Sequence, residues 1–305
     1  MIQKLLSEGY EVLGLTSDLE KAKTTFSNEL NYKLTISSFD FLSPNIILSV
    51  LEDYMPDKVF NFAAKATGQG MFDFPYLVTR LNGVFVLEIL EAIRTLKDSK
   101  DIVLVQASSS ELFGKVLESP QNETTLGAPT SPYGVAKLFA HQMLSVYREI
   151  YGVRCSAAIL YNHESERRSR DFVTAKIAFT AVQIKKGLQK ELLLGSLEAK
   201  RDWGFAPEYV EAMYMMSNQC LMKDFIVATG KLTTVGSLCS AAFSHLDLDY
   251  NDYVKGDADN FRRAHSFNLL GDPSRIENEL GWRHEMSSLD VIRLMVDHEM
   301  KLASS

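Results

Sequence analysis

Apolar positions along the chain fall into two rhythms. Short runs rich in β-branched and aromatic residues, Tyr10 to Leu15, Tyr32 to Ile36, Lys58 to Ala63 and Ile102 to Gln106, read as strands. Longer stretches with apolar residues three and four apart, about Pro44 to Tyr54, Tyr76 to Leu96 and Pro132 to Tyr151, read as helices. The runs VFNFAA and IVLVQA are apolar on both faces, as strands are when helices cover a parallel sheet on both sides. Strands alternating with helices predict an α/β fold with a doubly wound parallel sheet.

The rhythm changes at Tyr161. A polar loop, NHESERRSRD, precedes a helix from about Phe172 to Lys186; short strands near Leu192 and Phe225 then alternate with helices near Tyr209, Val235, Pro273 and Leu289. This predicts two domains, 1–160 and 161–305, the second a smaller mixed lobe that caps the sheet. No repeat or long linker separates them, so close packing is expected. Residues 1–9 read as the second half of an amphipathic helix ending at Gly9.

Composition narrows the function classes. The 305 residues are 46% hydrophobic and 23% charged, ordinary for a globular chain with a large core. A net charge of -7 leaves no basic excess for a nucleic acid or an anionic membrane. Cys155, Cys220 and Cys239 show no zinc or disulfide spacing, so no metal is expected. No apolar run has the length of a membrane span and MIQKLLSEGY is no signal core, so a cytoplasmic protein is expected.

Two stretches carry candidate chemistry. In Ser131-Pro132-Tyr133-Gly134-Val135-Ala136-Lys137, serine is a good N-cap and proline a preferred first helical residue. That start puts Tyr133 and Lys137 on one helix face, where an ammonium group stabilises a phenolate and brings tyrosine toward use as a base. Upstream, the strand Ile102 to Gln106 runs into Ala107-Ser108-Ser109-Ser110-Glu111, hydroxyls and one carboxylate at the carboxyl end of a parallel strand, the edge where open α/β sheets bind ligands.

In this order the chain resembles the extended short-chain dehydrogenases/reductases, and within them the GDP-mannose 4,6-dehydratase family, over essentially its whole length. The resemblance rests on QASSSELFGKV (106–116), SPYGVAKLFAH (131–141), ILYNHESERR (159–168), FVTAKI (172–177), LGSLEAKRDWGFAPEYVEAM (194–213) and LLGDPSR (269–275). It implies a Rossmann-type dinucleotide-binding domain over 1–160, a nucleotide-sugar lobe over 161–305, and conversion of GDP-mannose to GDP-4-dehydro-6-deoxy-mannose by a lyase. It also implies a homodimer or homotetramer. The implied catalytic residues are Ser109, Glu111, Tyr133 and Lys137. Tyr133 would take the O4 proton while hydride leaves C4; Glu111 would remove the C5 proton and help expel the C6 hydroxyl, and the hydride would return to C6. Ser109 stands where the family usually has threonine and keeps the hydroxyl. Asp18, Asp40, Ala63, Lys137, His163 and Arg168 fall on the cofactor side, and Asn162, Lys176, Arg201 and Arg263 on the substrate side. Trp203 is expected in the core.

The sequence departs from the family pattern at three places. Alignment through LLSEGYEVLGL puts Met1 just after the G-x-x-G-x-x-G loop that opens the family's fold, so the first strand and glycine loop are expected to be missing. The edges of two neighbouring strands would then be exposed unless another element fills the gap. Ser17-Asp18 replaces the two arginines that hold the 2'-phosphate of NADP; the resemblance implies NADP, whereas Asp18 favours NAD. Lys65 and Ala66 stand where glutamine and serine are usual. Two rival readings stay open, a catalytically silent nucleotide-sugar-binding partner subunit and a related GDP-sugar epimerase or reductase, although Glu111 has no duty in simple 4-epimerisation.

Overall fold

The computed structural model describes residues 1–29, 33–66, 70–116, 118–256 and 267–304. It is an α/β structure built from parallel strands and covering helices, as the alternation predicts. The start of the expected strand at Tyr32 lies outside the described residues. By contacts the chain forms two compact units. One comprises Met1–Ala107, Ser131–Ala157 and Val210–Lys223; the other comprises Ser108–Thr130, Ala158–Tyr209 and Asp224–Ser305. The units therefore do not divide at a single point in the chain.

The first unit opens with α1 (Ile2–Ser7), β1 (Val12–Thr16), α2 (Leu19–Thr25), β2 (Leu34–Ser38), α3 (Ile46–Tyr54) and β3 (Lys58–Asn61). Strand β1 pairs in parallel with β2, from Val12 opposite Leu34 to Thr16 opposite Ser38. A helical run follows: α4 (Gly70–Asp73), α5 (Pro75–Thr79), a π turn (Arg80–Val84) and α6 (Phe85–Leu96). The single helix expected from Tyr76 to Leu96 is thus interrupted. Within the π turn Asn82 is fully buried and its Nδ2 donates to the Val78 carbonyl at 2.8 Å, an arrangement that the apolar period does not reveal.

Strand β4 (Val103–Ala107) pairs in parallel with β3, from Lys58 opposite Val103 to Asn61 opposite Gln106. Helix α7 (Pro132–Ile150) and β5 (Cys155–Leu160) follow, and β5 runs from the first unit into the second. The first unit's core gathers Ile47 and Leu51 of α3, Phe85, Ile89, Leu90 and Ile93 of α6, Leu104 of β4 and Leu144 of α7. The buried positions of α6 recur three and four apart, the spacing that puts them on one face. Each such side chain contributes about 1.5–3 kcal/mol by leaving water.

In the second unit Ala158–Leu160 of β5 pairs in parallel with β9 (Phe225–Val227). The other elements are β6 (Asn162–Glu164), α8 (Val173–Lys185), β7 (Leu192–Leu194), β8 (Lys200–Phe205), the first residues of α9 (Ala206–Met216), which from Val210 onward belongs to the first unit, β10 (Leu232–Thr234), α10 (Val235–Ser244), β11 (Val254–Gly256), α11 (Ser274–Leu280) and α12 (Ser288–Leu302). Strand β8 pairs in parallel with β6 and antiparallel with β10. The core lies among α8, α10 and α12, with Ala178, Val182, Leu238, Phe243, Ile292 and Val296 in contact, and Trp203 belongs to it as expected. Among the described residues no helix is long and apolar enough to cross a membrane.

Two residues of the AKRDWG stretch hold this unit together. The buried Asp202 accepts from Thr229 N at 2.9 Å, Thr229 Oγ1 at 2.7 Å and Gly230 N at 2.9 Å, so burial raises its pKa while these donors oppose the rise. Gly204 gives room to the fully buried Tyr209: a Cβ there would lie 2.4 Å from Tyr209 Cε2. The Gly204→Ala variant is therefore expected to lose about 1–3 kcal/mol of stability through overpacking, measured as a lower urea midpoint at unchanged slope.

Candidate functional site

In the first unit the start of α7 is fixed by its own sequence. Ser131 Oγ accepts the Gly134 N–H at 3.0 Å, and Pro132 occupies the first turn where its missing donor costs nothing. This start places Tyr133 in the first turn and Lys137 one turn further. The Lys137 side chain is buried; its Nζ donates to the Ala107 carbonyl at 2.7 Å and lies 5.6 Å from the Tyr133 ring centroid. Burial pushes the Lys137 ammonium down to about 8. Tyr133 and Lys137 are therefore brought together as the spacing predicts, at the carboxyl end of β4.

The Ala107 carbonyl belongs to a buried relay that the sequence reading missed. Gln106 Nε2 donates to the same carbonyl at 2.8 Å, Gln106 Oε1 accepts from Asn61 Nδ2 at 2.8 Å, and Asn61 Oδ1 accepts the Ala63 N–H at 3.0 Å. Asn61 and Gln106 interrupt the otherwise apolar runs VFNFAA and IVLVQA, and that interruption was the available signal. Ala63, expected on the cofactor side, has its N–H engaged inside this relay.

Directly after β4, in the second unit, Ser109 caps a 3-10 turn (Ser110–Leu112) by accepting the Glu111 N–H on its Oγ at 3.2 Å. The hydroxyl is thereby tied to the backbone of the residue that carries the carboxylate. Burial raises the pKa of Glu111 and the Arg201 charge opposes the rise; burial lowers that of Arg201 and Glu111 opposes the fall. A carboxyl group shifted toward neutral pH beside a fixed cation suits proton transfer. Arg201 also donates from Nη1 to the Lys200 carbonyl at 2.7 Å.

The polar loop after Tyr161 is more engaged with itself than the sequence suggests. Asn162 begins β6 opposite Trp203. His163 Nδ1 meets the Tyr161 carbonyl at 2.8 Å and its ring stacks on Tyr209 at 5.0 Å between centroids. Burial, with Arg168 adding to the effect, pushes His163 down to about 4, so it is neutral at pH 7. Arg168 pairs with the buried Glu164 at 3.1 Å and lies 3.4 Å over the Phe172 ring. Glu164, absent from the sequence reading, also accepts from Thr174 Oγ1 at 2.8 Å. Lys176 Nζ donates to the Leu193 carbonyl at 2.8 Å. Arg263 lies outside the described residues.

Asp18 and Asp40 both hold local backbone. Asp18 caps α2, accepting the Lys21 N–H at 3.0 Å. Asp40 accepts from Ser43 Oγ at 2.7 Å and Leu42 N at 2.9 Å, and these donors, aided by the Arg80 charge, keep its carboxyl below the usual range.

The chain is similar in sequence and in fold to known proteins. A sequence model of the family described as GDP-mannose 4,6 dehydratase matches residues 1–295. The chain is 37% identical to GDP-mannose 4,6 dehydratase 2 of Arabidopsis thaliana, with 98% of this chain and 83% of that one aligned. It is 34% identical to the GDP-mannose 4,6-dehydratase of Vibrio cholerae serotype O1, over 99% and 90%. In fold it is similar to dTDP-glucose 4,6-dehydratase of Bacillus anthracis in complex with NAD, with a TM-score of 0.83 at 16% identity over 98% of this chain and 92% of that one. It is likewise similar to RMD of Pseudomonas aeruginosa complexed with NADPH, with a TM-score of 0.80 at 21% identity over 95% and 99%.

The buried neutral His163 makes stability depend on pH. Its folded pKa, about 4, lies below the ordinary 6.5, so the unfolded chain binds the proton first as pH falls. The contribution is complete above pH ~6.5 and is lost progressively toward pH ~4. Between pH 7 and 5 this group is expected to remove about 2 kcal/mol of unfolding free energy in urea titrations, a loss that His163→Asn should not show.

Proposed function

The chain belongs to the GDP-mannose 4,6-dehydratase family, and from that premise we propose that it is a lyase converting GDP-mannose to GDP-4-dehydro-6-deoxy-mannose. The observation that carries this reading is Glu111, a carboxyl group raised toward neutral pH on the turn directly after β4. An epimerase acting only at C4 has no use for such a base.

The residues present fit a nicotinamide dinucleotide. The buried Lys137 ammonium uses one N–H on the Ala107 carbonyl and has two more for ribose hydroxyls. Asp18, at the end of β1, suits a ribose diol better than a phosphate, which favours NAD; the family resemblance favours NADP. When bound, the nicotinamide accepts a hydride and later returns it, so the net reaction is an elimination of water.

The protein's own groups move the protons. Tyr133 takes the proton from the sugar O4, and the neighbouring Lys137 ammonium stabilises negative charge on the phenol oxygen. Ser109 Oγ, already an acceptor for the Glu111 N–H, has its own proton to donate to O4. Once C4 is a ketone, the C5 hydrogen is acidic; Glu111 removes it and passes a proton to the departing C6 hydroxyl. Arg201 and Lys176 offset diphosphate charge, and Asn162, His163 and Arg168 line the sugar and nicotinamide side. The reading extends to a cytoplasmic homo-oligomer, a dimer or tetramer.

Incubation with GDP-mannose and either NAD or NADP is expected to give the 4-keto sugar, followed by its absorbance in base or by mass; the absence of product with both cofactors refutes the assignment. Glu111→Gln and Tyr133→Phe should each lower kcat by about 10²–10⁴-fold with GDP-mannose affinity by calorimetry nearly unchanged. Asp18→Arg should shift the NADP to NAD affinity ratio upward by about tenfold, roughly 1.4 kcal/mol.

A further inference from the structure

The imidazole of His163 is held at two places. Its Nδ1 lies 2.8 Å from the Tyr161 carbonyl, which can only accept, so Nδ1 carries the proton and Nε2 of the neutral ring is a bare acceptor. One such bond tolerates a spread of ring tilts. The second constraint is the Tyr209 ring, stacked on the imidazole with centroids 5.0 Å apart and planes at 30°. We propose that Tyr209 is a positioning residue whose ring face sets the direction in which His163 Nε2 meets an N–H or O–H of the nicotinamide dinucleotide, a role that rests on the placement of His163 on the nicotinamide side proposed above.

The local sequence builds this contact. Strands β6 and β8 run in parallel with His163 opposite Gly204. The chain leaves β8 at Phe205 and enters α9 at Ala206, so Tyr209 closes the first turn of the helix and its ring lies against Gly204. A Cβ on residue 204 would come within 2.4 Å of Tyr209 Cε2 and 2.7 Å of its Oη. The ladder position opposite the imidazole must therefore be bare for the tyrosine to reach it.

The tyrosine is itself fixed. It is fully buried, and Trp282 meets its ring at 87° with centroids 6.0 Å apart. Trp282 Nε1 donates to the Glu208 carbonyl at 2.8 Å, and Glu208 Oε1 accepts the Met286 N–H at 2.9 Å. The residue before Tyr209 is thus tied on both sides of its own chain to the segment that carries Trp282. Tyr209 Oη has no hydrogen-bond partner among the described residues, so the ring face, and not the hydroxyl, makes the contact with His163. Among the described residues His163 makes no hydrogen bond through Nε2, and the residue is only half-buried. The nitrogen left open is the one that the two constraints aim. A group that binds a ligand gains precision when neighbours lock its orientation in this way.

Core packing alone would also bury Tyr209, and a double-variant cycle separates the two roles. Affinity for NAD and for NADP is measured by calorimetry on the whole chain. Tyr209→Met fills the space without a flat face. It should weaken the tighter-binding dinucleotide about threefold to tenfold and leave GDP-mannose affinity within about twofold, and Tyr209→Phe should retain dinucleotide affinity within about twofold. In a His163→Ala background Tyr209→Met should weaken binding no further, because its effect passes through the imidazole. Gly204→Ala pushes the ring aside without changing it; it should give the same loss and the same dependence on His163, and it carries the test if Tyr209→Met does not fold. A further readout needs no cofactor: in the ligand-free chain the His163 Nδ1–H proton, followed by NMR, should exchange with water at least about tenfold faster in Tyr209→Met and Gly204→Ala than in Tyr209→Phe.

Losses that multiply between Tyr209→Met and His163→Ala, or unchanged Nδ1–H exchange, overturn the positioning role alone. Unchanged dinucleotide affinity in His163→Ala overturns the placement of His163 and the positioning role with it. Coupling without formation of the 4-keto sugar upholds the positioning role while the proposed activity fails.

Discussion

The arrangement at the candidate site depends on one buried cation. Lys137 has its ammonium inside the first unit, where it donates to the Ala107 carbonyl. A buried charge without a counterion is costly unless dipoles are aimed at it. The dipole here is itself held: Ala107 lies at the end of β4, and Gln106, which also donates to that carbonyl, is fixed by Asn61 across the β3–β4 ladder. The α7 cap then sets how far along the helix the ammonium stands. Sequence at four separated places, Asn61, Gln106, Ser131 and Lys137, is therefore tied to one position in space, and Tyr133 takes its electrostatic surroundings from it.

The second unit solves a related problem with carboxylates. Asp202 is surrounded by backbone and hydroxyl donors, and Glu164 is held by Arg168 and Thr174. Those two are satisfied and structural. Glu111 differs: desolvation raises it and only the Arg201 charge opposes the rise. Acids inside one unit thus fall into two classes by their partners, and the one proposed as the base is the one with the weaker compensation.

Much of this was legible in the sequence. The doubly wound alternation, the α7 start at Ser131-Pro132 and the Tyr133–Lys137 pairing follow from periodicity and capping, which are local. The π turn at Arg80–Val84, the relay through Asn61 and Gln106, and the His163–Tyr209 stack were not legible, since each depends on residues far apart in the chain or on a departure from the helical period. The short strands β6, β8, β10 and β11 likewise lack an alternating pattern long enough to read. Arg168 illustrates the limit: the resemblance puts it on the cofactor side, and its pairing with Glu164 and Phe172 is visible only in the structure.

The division of the chain also bears on how it is made. The first unit includes Val210–Lys223, where Glu211 pairs with Lys4 of α1 at 2.7 Å and Tyr214 donates to Glu8. A ribosome emits the α1 end first and this closing segment only after most of the chain. During that interval the early strands hold apolar surface and open backbone edges without their final cover, at synthesis rates of about 5–20 residues per second. The order of emergence, rather than the stability of the finished sheet, then governs how long the nascent chain depends on chaperones, and slow codons before Lys223 lengthen that exposure.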